Sequence, residues 1–135
     1  MSRVFVDTSA ILALLSASDT AHTRAVTVFD RLRAETDPLV TISYVMVETY
    51  ALLHRRMGRR AVTRFREDFA PLLEVIWIGN EDHELALDFM LQTDDANLSL
   101  VDAASLVVIG HERISRVFTF DKHFRRPGLE ILGQA

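Results

Sequence analysis

The chain has no cysteine among its 135 residues. That excludes disulfides, thiolate zinc sites and a cysteine nucleophile. No HExxH or paired-histidine spacing occurs either, which disfavours zinc held by imidazole. No apolar run approaches the ~18 residues of a membrane span. The N-terminus carries Arg3 and an early Asp7 and lacks a signal-peptide layout. A cytoplasmic protein with no membrane contact is expected. Glycine and proline are sparse, at 5 and 3 residues, and no repeat, linker or low-complexity stretch interrupts the chain. One domain over residues 1–135 is the simplest organisation, long enough to bury roughly two thirds of its unfolded surface. Lysine is nearly missing: fourteen of the fifteen basic residues are Arg, and Lys122 is the exception. The net charge of −4 argues against a protein that coats nucleic acid by charge alone. It leaves room for a nucleic-acid enzyme, because acids gathered around a metal become attractive to phosphate once the metal is bound.

What is present is an alternation of short apolar runs with helical periodicity. Strands are expected over 3–6, 39–42 ("LVTI"), 73–78 ("LEVIWI"), 117–120 ("VFTF") and 129–132 ("LEIL"). Helices are expected over 9–16, 18–35 with an Asp19 cap, and 43–57 with a Ser43 cap and Gly58 as its stop. Further helices are expected over 59–72, from Glu81 to Gln92 behind an Asn80 cap, and from Ser99 to about Glu112, with "DDANLS" (94–99) as a loop. Short apolar strands alternating with helices favour an α/β fold, a mainly parallel sheet covered on both faces.

Four acids fall at junctions of this pattern. Asp7 ends the run "VFV", and Asp121 ends "VFTF". Glu48 lies in the second turn of the helix after strand two, and Asp102 in the first turn of the helix before strand four. Ligands of an open parallel sheet bind beyond the carboxyl ends of its strands. All four therefore converge if the helix from Ser99 starts on that edge. Gathered carboxylates repel one another, and a hard cation such as Mg2+ or Mn2+ resolves the repulsion. Thr8 and Ser9 add hydroxyls beside Asp7, suited to orienting a water or phosphate. Each acid also has a purely structural reading. Asp7 and Ser9 can cap the first helix, Glu48 can be solvated, Ser99-x-x-Asp102 resembles a capping box, and Asp121 suits a turn.

At these residues the chain resembles PIN-domain ribonucleases, more narrowly the VapC-type toxins of type II toxin–antitoxin pairs. The matching stretches are "VFVDTSAILALL", "SYVMVETYALL", "LSLVDAASLVV" and "VFTFDKHF", in family order and spanning nearly the whole chain. The resemblance implies a PIN-like three-layer α/β/α fold with a sheet of about five strands. It implies metal-site roles for Asp7, Glu48, Asp102 and Asp121, with Thr8 or Ser9, and Ser99, as supporting polar groups. It implies hydrolysis of RNA by a metal-activated water, leaving 5′-phosphate and 3′-hydroxyl ends. Its implied partners are an RNA substrate, a cognate antitoxin and a second copy, so a homodimer or a toxin–antitoxin hetero-oligomer. Some relatives carry a further acid two positions after the one matching Asp121, where this chain has His123. The choice between one metal and two stays open at this point.

Other residues are read more plainly. Six Arg crowd "HRRMGRRAVTRFR" (54–66), either as a solvated face with packed stems, as contacts to an RNA backbone or as contacts to a protein partner. The five His are scattered and expected on the surface or in packing roles, with His123 kept open. Phe120 and Phe124 are expected in the core, and Tyr50, Leu53, Met57 and Phe65 either there or at a dimer surface. Readings from other classes fit less well. A phosphoacceptor receiver domain wants an acid pair after strand one and a Lys near strand five, and this chain has neither. A haloacid-dehalogenase-like phosphatase wants Asp-x-Asp where "DTS" stands. A non-catalytic PIN-like RNA-binding module would have no need of all four acids.

Overall fold

The computed structural model describes residues 2–133. Its centre is a five-stranded sheet of β1 (Val4–Val6), β2 (Leu39–Ile42), β3 (Leu73–Ile76), β4 (Arg116–Phe118) and β5 (Glu130–Leu132). The spatial order is β3-β2-β1-β4-β5, and every pairing is parallel. Strands buried on both faces need continuous apolar runs, and β1 supplies one in which all three residues are fully buried. The helices are α1 (Thr8–Leu15), α2 (His22–Ala34), α3 (Ser43–Met57), α4 (Arg59–Arg64), α5 (Asn80–Gln92) and α6 (Leu100–His111). The core joins sheet and helices through Phe5, Phe65, Phe118, Phe124, Leu32 and Leu53. No helix among the described residues is long and apolar enough to cross a membrane.

The order carries the functional consequence. From β1 the chain steps outward to β2 and β3, then returns to the other side of β1 as β4 and β5. The direction reverses between β1 and β4, and a crevice opens there at the strands' carboxyl ends.

Several local expectations are corrected. Ile42, not Ser43, holds the cap position of α3; Ser43 is the first helical residue and its hydroxyl instead accepts the Ile78 N–H at 2.9 Å. Asn80 likewise begins α5 behind Gly79 and caps nothing. Asp19 accepts the Ala21 N–H at 2.8 Å in a turn, so α2 starts only at His22. The expected helix 59–72 is broken: α4 widens into a π turn over Phe65–Phe69 and tightens into a 3-10 turn over Ala70–Leu72. The widened turn points Phe65 and Phe69 inward together, with ring centroids 5.7 Å apart and Phe29 stacked 5.1 Å beyond. Pro71 sits early in this last turn, where its missing N–H is tolerated. Gly58 does stop α3, at φ 84°, a left-handed conformation that favours glycine. Leu53 and Phe65 are fully buried, so they belong to the core and not to a dimer surface, whereas Met57 is exposed.

Candidate active site

Asp7 leaves β1 in extended conformation and caps α1. Its N–H donates to the Phe118 carbonyl at 3.1 Å, which pins it across the β1–β4 reversal. The residue is 3% exposed, and three donors converge on one carboxylate oxygen, Oδ2. They are the Ser9 N–H at 3.3 Å, the Ser9 hydroxyl at 2.7 Å and the Thr119 hydroxyl at 2.9 Å. The same hydroxyls accept the backbone N–H groups of Phe120 (2.9 Å) and Asp121 (3.0 Å). The loop leaving β4 is thereby fastened to the loop leaving β1. Ser9 is committed to this network, so its role is to hold Asp7 and the β4 loop. Thr8 is buried, lines the cleft and is approached by the Thr49 hydroxyl at 3.4 Å.

Asp121 caps a 3-10 turn over Lys122–Phe124 and accepts the His123 N–H at 2.9 Å. Ser99 caps α6 by accepting the Asp102 N–H at 3.0 Å, which starts α6 at the same sheet edge. Glu48, in the second turn of α3, is half-buried and makes no hydrogen bond or ion pair among the described residues. All four sequence-chosen acids, with Thr8, Ser9 and Ser99, line one cleft of about 350 Å³.

The cleft also holds the one histidine whose role the sequence left open. His123 projects into it, and its Nδ1 lies 2.5 Å from Asp95 Oδ2, joining the 94–99 loop to the turn after β4. Its Nε2 lies 4.0 Å from Asp121 Oδ1. The surface or packing role expected of most histidines is therefore not that of His123. Thr119, fully buried, was hidden inside an apolar strand signal. Phe124 is in the core, and half-buried Phe120 lies beneath the Arg24 guanidinium, 5.5 Å from the ring centroid.

Electrostatics reflect this crowding. Burial raises the Asp7 carboxyl above its ordinary range, against the lowering bonds from Ser9 and Thr119, and the charge on Asp121 adds to the rise. Asp102 is pushed up to about 6, first by burial, then by the charges on Asp121 and Asp7, with Ser99 and His123 opposing. Asp95 behaves otherwise. Its desolvation is outweighed by the bonds from His123 and Asn97 and by the nearby charges of His123 and Arg126, so its carboxyl lies below the usual range.

This donor set fits a divalent cation. The bonds on Asp7 all fall on Oδ2, leaving Oδ1 for another partner. Asp102, Asp121 and His123 each offer a ligand atom, all within 4.8 Å of one another. The two carboxyls are raised first by burial and further by neighbouring charge, and a cation would offset both.

A parallel sheet with acids at its switch point defines a class, and the chain belongs to it: the PIN domain family, whose model matches residues 4–129. Within that family the chain is of the VapC type. It is 34% identical over 127 residues to the 23S rRNA-specific endonuclease VapC20 of Mycobacterium tuberculosis, covering 93% of this chain and 94% of the relative. It is 28% identical over 123 residues to ribonuclease VapC26 of the same organism, covering 90% and 89%. The crystal structure of M. tuberculosis VapC20, a Sarcin-Ricin loop cleaving toxin, superposes with a TM-score of 0.76 at 31% identity, over 88% of this chain and 90% of that one. DNA-bound VapBC from Salmonella typhimurium shares the fold, with a TM-score of 0.70 at 16% identity over 97% of each chain. Membership sets aside the receiver and dehalogenase readings.

Proposed function

We propose that this protein is a metal-dependent endoribonuclease and the toxin of a toxin–antitoxin pair, acting in the cytoplasm as a single PIN-like domain. The observation that carries this reading is the convergence of Asp7, Glu48, Asp102 and Asp121 on one cleft at the β1–β4 reversal. Asp7 and Asp102 are the principal ligands, with Asp121 beside them. Mg2+ or Mn2+ held there would lower the pKa of a water and stabilise charge on the phosphoryl oxygens. The rest of the work belongs to the chain. Glu48, without a hydrogen-bond or ion-pair partner among the described residues, would accept the attacking water's proton. Ser9 and Thr119 keep Asp7 in one orientation, and Ser99 fixes the turn that presents Asp102. In-line attack by water leaves a 5′-phosphate and a 3′-hydroxyl; attack by a ribose 2′-hydroxyl would leave a cyclic phosphate.

The substrate's backbone would leave the cleft along a line of arginines. A hollow beside the cleft shares Leu12 with it and is bordered by Arg56 and Met57. A further hollow shares Met57 and adds Arg60 and Arg64. The RNA strand would run from the acids toward these guanidiniums. An antitoxin, and a second copy forming a homodimer, would cover exposed apolar residues such as Val47, Trp77 and Leu91.

The test is incubation of antitoxin-free protein with total RNA under Mg2+, Mn2+ or EDTA, beside Asp7→Asn. Discrete metal-dependent fragments with 5′-phosphate ends, absent in the variant, are expected. Cleavage that survives in EDTA, or ends in cyclic phosphate, would refute the mechanism.

A further inference from the structure

Two residues after Asp121 this chain places His123, and the structure equips that ring unlike any other group in the cleft. His123 Nδ1 sits 2.5 Å from Asp95 Oδ2. The Asp95 carboxylate can only accept, so the proton of this bond belongs to Nδ1 and the lone pair of the neutral ring lies on Nε2. Asp95 is itself held by the Asn97 N–H at 3.1 Å and does not line the cleft. The arrangement is a carboxylate behind an imidazole, the pattern that orients metal-ligating histidines.

The distances suit a ligand role. Donors of one octahedral ion at about 2.1 Å lie about 3 Å apart when adjacent and about 4.2 Å apart when opposite. Nε2 and Asp121 Oδ1, at 4.0 Å, lie close to the separation of opposite donors. The full trio with Asp102 lies within 4.8 Å, so small side-chain rotations bring all three atoms onto one ion.

We propose that His123, oriented by Asp95, is a nitrogen ligand of this site and gives it a preference for Mn2+ over Mg2+. The proposal rests on the metal-dependent reading above. Its chemical basis is that Mg2+ favours an all-oxygen set, whereas imidazole suits transition ions. His123 is a ligand in this scheme, and Asp95 is a positioning residue that acts through it.

The test is direct spectroscopy on the full chain. Mn2+ is titrated into metal-free protein and examined by pulsed electron paramagnetic resonance, and Mn2+ and Mg2+ affinities are measured by calorimetry. Nitrogen hyperfine coupling is expected in the wild type, altered on 15N-histidine labelling and absent in His123→Ala. Mn2+ affinity should fall about 10- to 100-fold in His123→Ala and about 10-fold in Asp95→Ala, while Mg2+ affinity changes much less. His123→Asp, which supplies an oxygen donor in place of the nitrogen, should bind Mg2+ more tightly and lose the preference, and it covers the case in which the alanine variant fails to fold. A wild type without nitrogen coupling, or a Mn2+/Mg2+ ratio unmoved by these substitutions, overturns the proposal. The two failures are separable. Nitrogen-coupled Mn2+ with no RNA cleavage refutes the nuclease reading alone; metal-dependent cleavage without nitrogen coupling refutes this inference alone.

Discussion

In the cleft, Asp7 is 3% exposed and accepts three hydrogen bonds; over residues 55–66, six exposed arginines make no hydrogen bond or ion pair among the described residues. The contrast is one of cost. Taking a carboxylate out of water is unfavourable unless hydrogen bonds or a counter-charge compensate it, so the chain spends Ser9, Thr119 and a helix start on Asp7. An exposed guanidinium needs no such compensation and stays free to meet a phosphate. Under the proposed function, placement would serve a small ion that demands fixed geometry, and freedom would serve a flexible polyanion that is attracted at a distance and weakened by salt. Damage to the two regions should therefore look different.

The largest effect is expected in the cleft. Asp7→Asn keeps the shape but removes the charge, and cleavage should fall on the order of a thousandfold. Single-turnover rates on one RNA would measure this, and the loss should be the same at low and high salt. A loss that vanished at high salt would break the contrast. The arginine region should answer differently. Arg56→Gln, Arg60→Gln and Arg64→Gln together remove up to three phosphate contacts. In a cleavage-dead Asp7→Asn background, RNA affinity should fall tenfold or more at low salt, and the log–log salt slope should drop by about 2 for a single strand. An unchanged slope would mean that these arginines are merely solvated.

The same contrast explains what the sequence made legible. The strands announce themselves because a parallel sheet covered on both faces needs uninterrupted apolar runs, and "VFV" and "LVTI" are such runs. An acid directly after such a run must sit at the sheet edge, so Asp7 and Asp121 could be read, and Glu48 and Asp102 followed from their helices. The corrections lie where two equal local signals compete. Ser43 and Asn80 look like caps, but tertiary packing starts both helices at these residues. The π turn at Phe65–Phe69 exists because two rings must face the core together, a demand of packing that no periodicity encodes. His123 and Asp95 are 28 positions apart, and only the folded loops bring them to 2.5 Å.

Next in size is an effect on stability with opposite signs in the two metal states. The folded-state carboxyl of Asp102 is raised from 3.8 to about 6. Its neutral form thus favours the metal-free fold below about pH 4, and that contribution is lost as pH rises through about 6. At neutral pH the ionised group costs about 2–3 kcal/mol at most. Asp102→Asn cannot ionise, so metal-free protein should melt about 5 °C higher at pH 7.5, with the gain shrinking as the pH is lowered toward 4. Saturating Mn2+ should reverse the order, because only the wild type is stabilised by binding. Calorimetric melts with and without metal check both signs. A variant that is less stable without metal would show that Asp102 is held by the fold and not frustrated by it.

The smallest effect sharpens the comparison most, because it replaces no proposed ligand. Thr119 donates to Asp7 Oδ2 at 2.9 Å and accepts the Asp121 N–H at 3.0 Å, so one hydroxyl aligns two of the acids. Thr119→Val keeps the shape and removes both bonds. A buried N–H and a buried carboxylate each lose a partner, a cost of about 1–3 kcal/mol. Because the lost bond stabilises the ionised form, the Asp7 carboxyl should rise further, and cation binding should weaken about tenfold. Calorimetric Mn2+ titration at pH 6 and pH 8 checks it, with the deficit larger at pH 6, where a raised carboxyl holds its proton more fully. An equal substitution of an exposed hydroxyl, Thr27→Val on α2, should leave metal affinity unchanged, since among the described residues the Thr27 hydroxyl bonds only to its own helix, through the Thr23 carbonyl at 3.0 Å. If Thr119→Val binds Mn2+ as the wild type does, Asp7 is oriented by burial and Ser9 alone, and the cost of holding a charge in the cleft is smaller than its hydrogen bonds suggest.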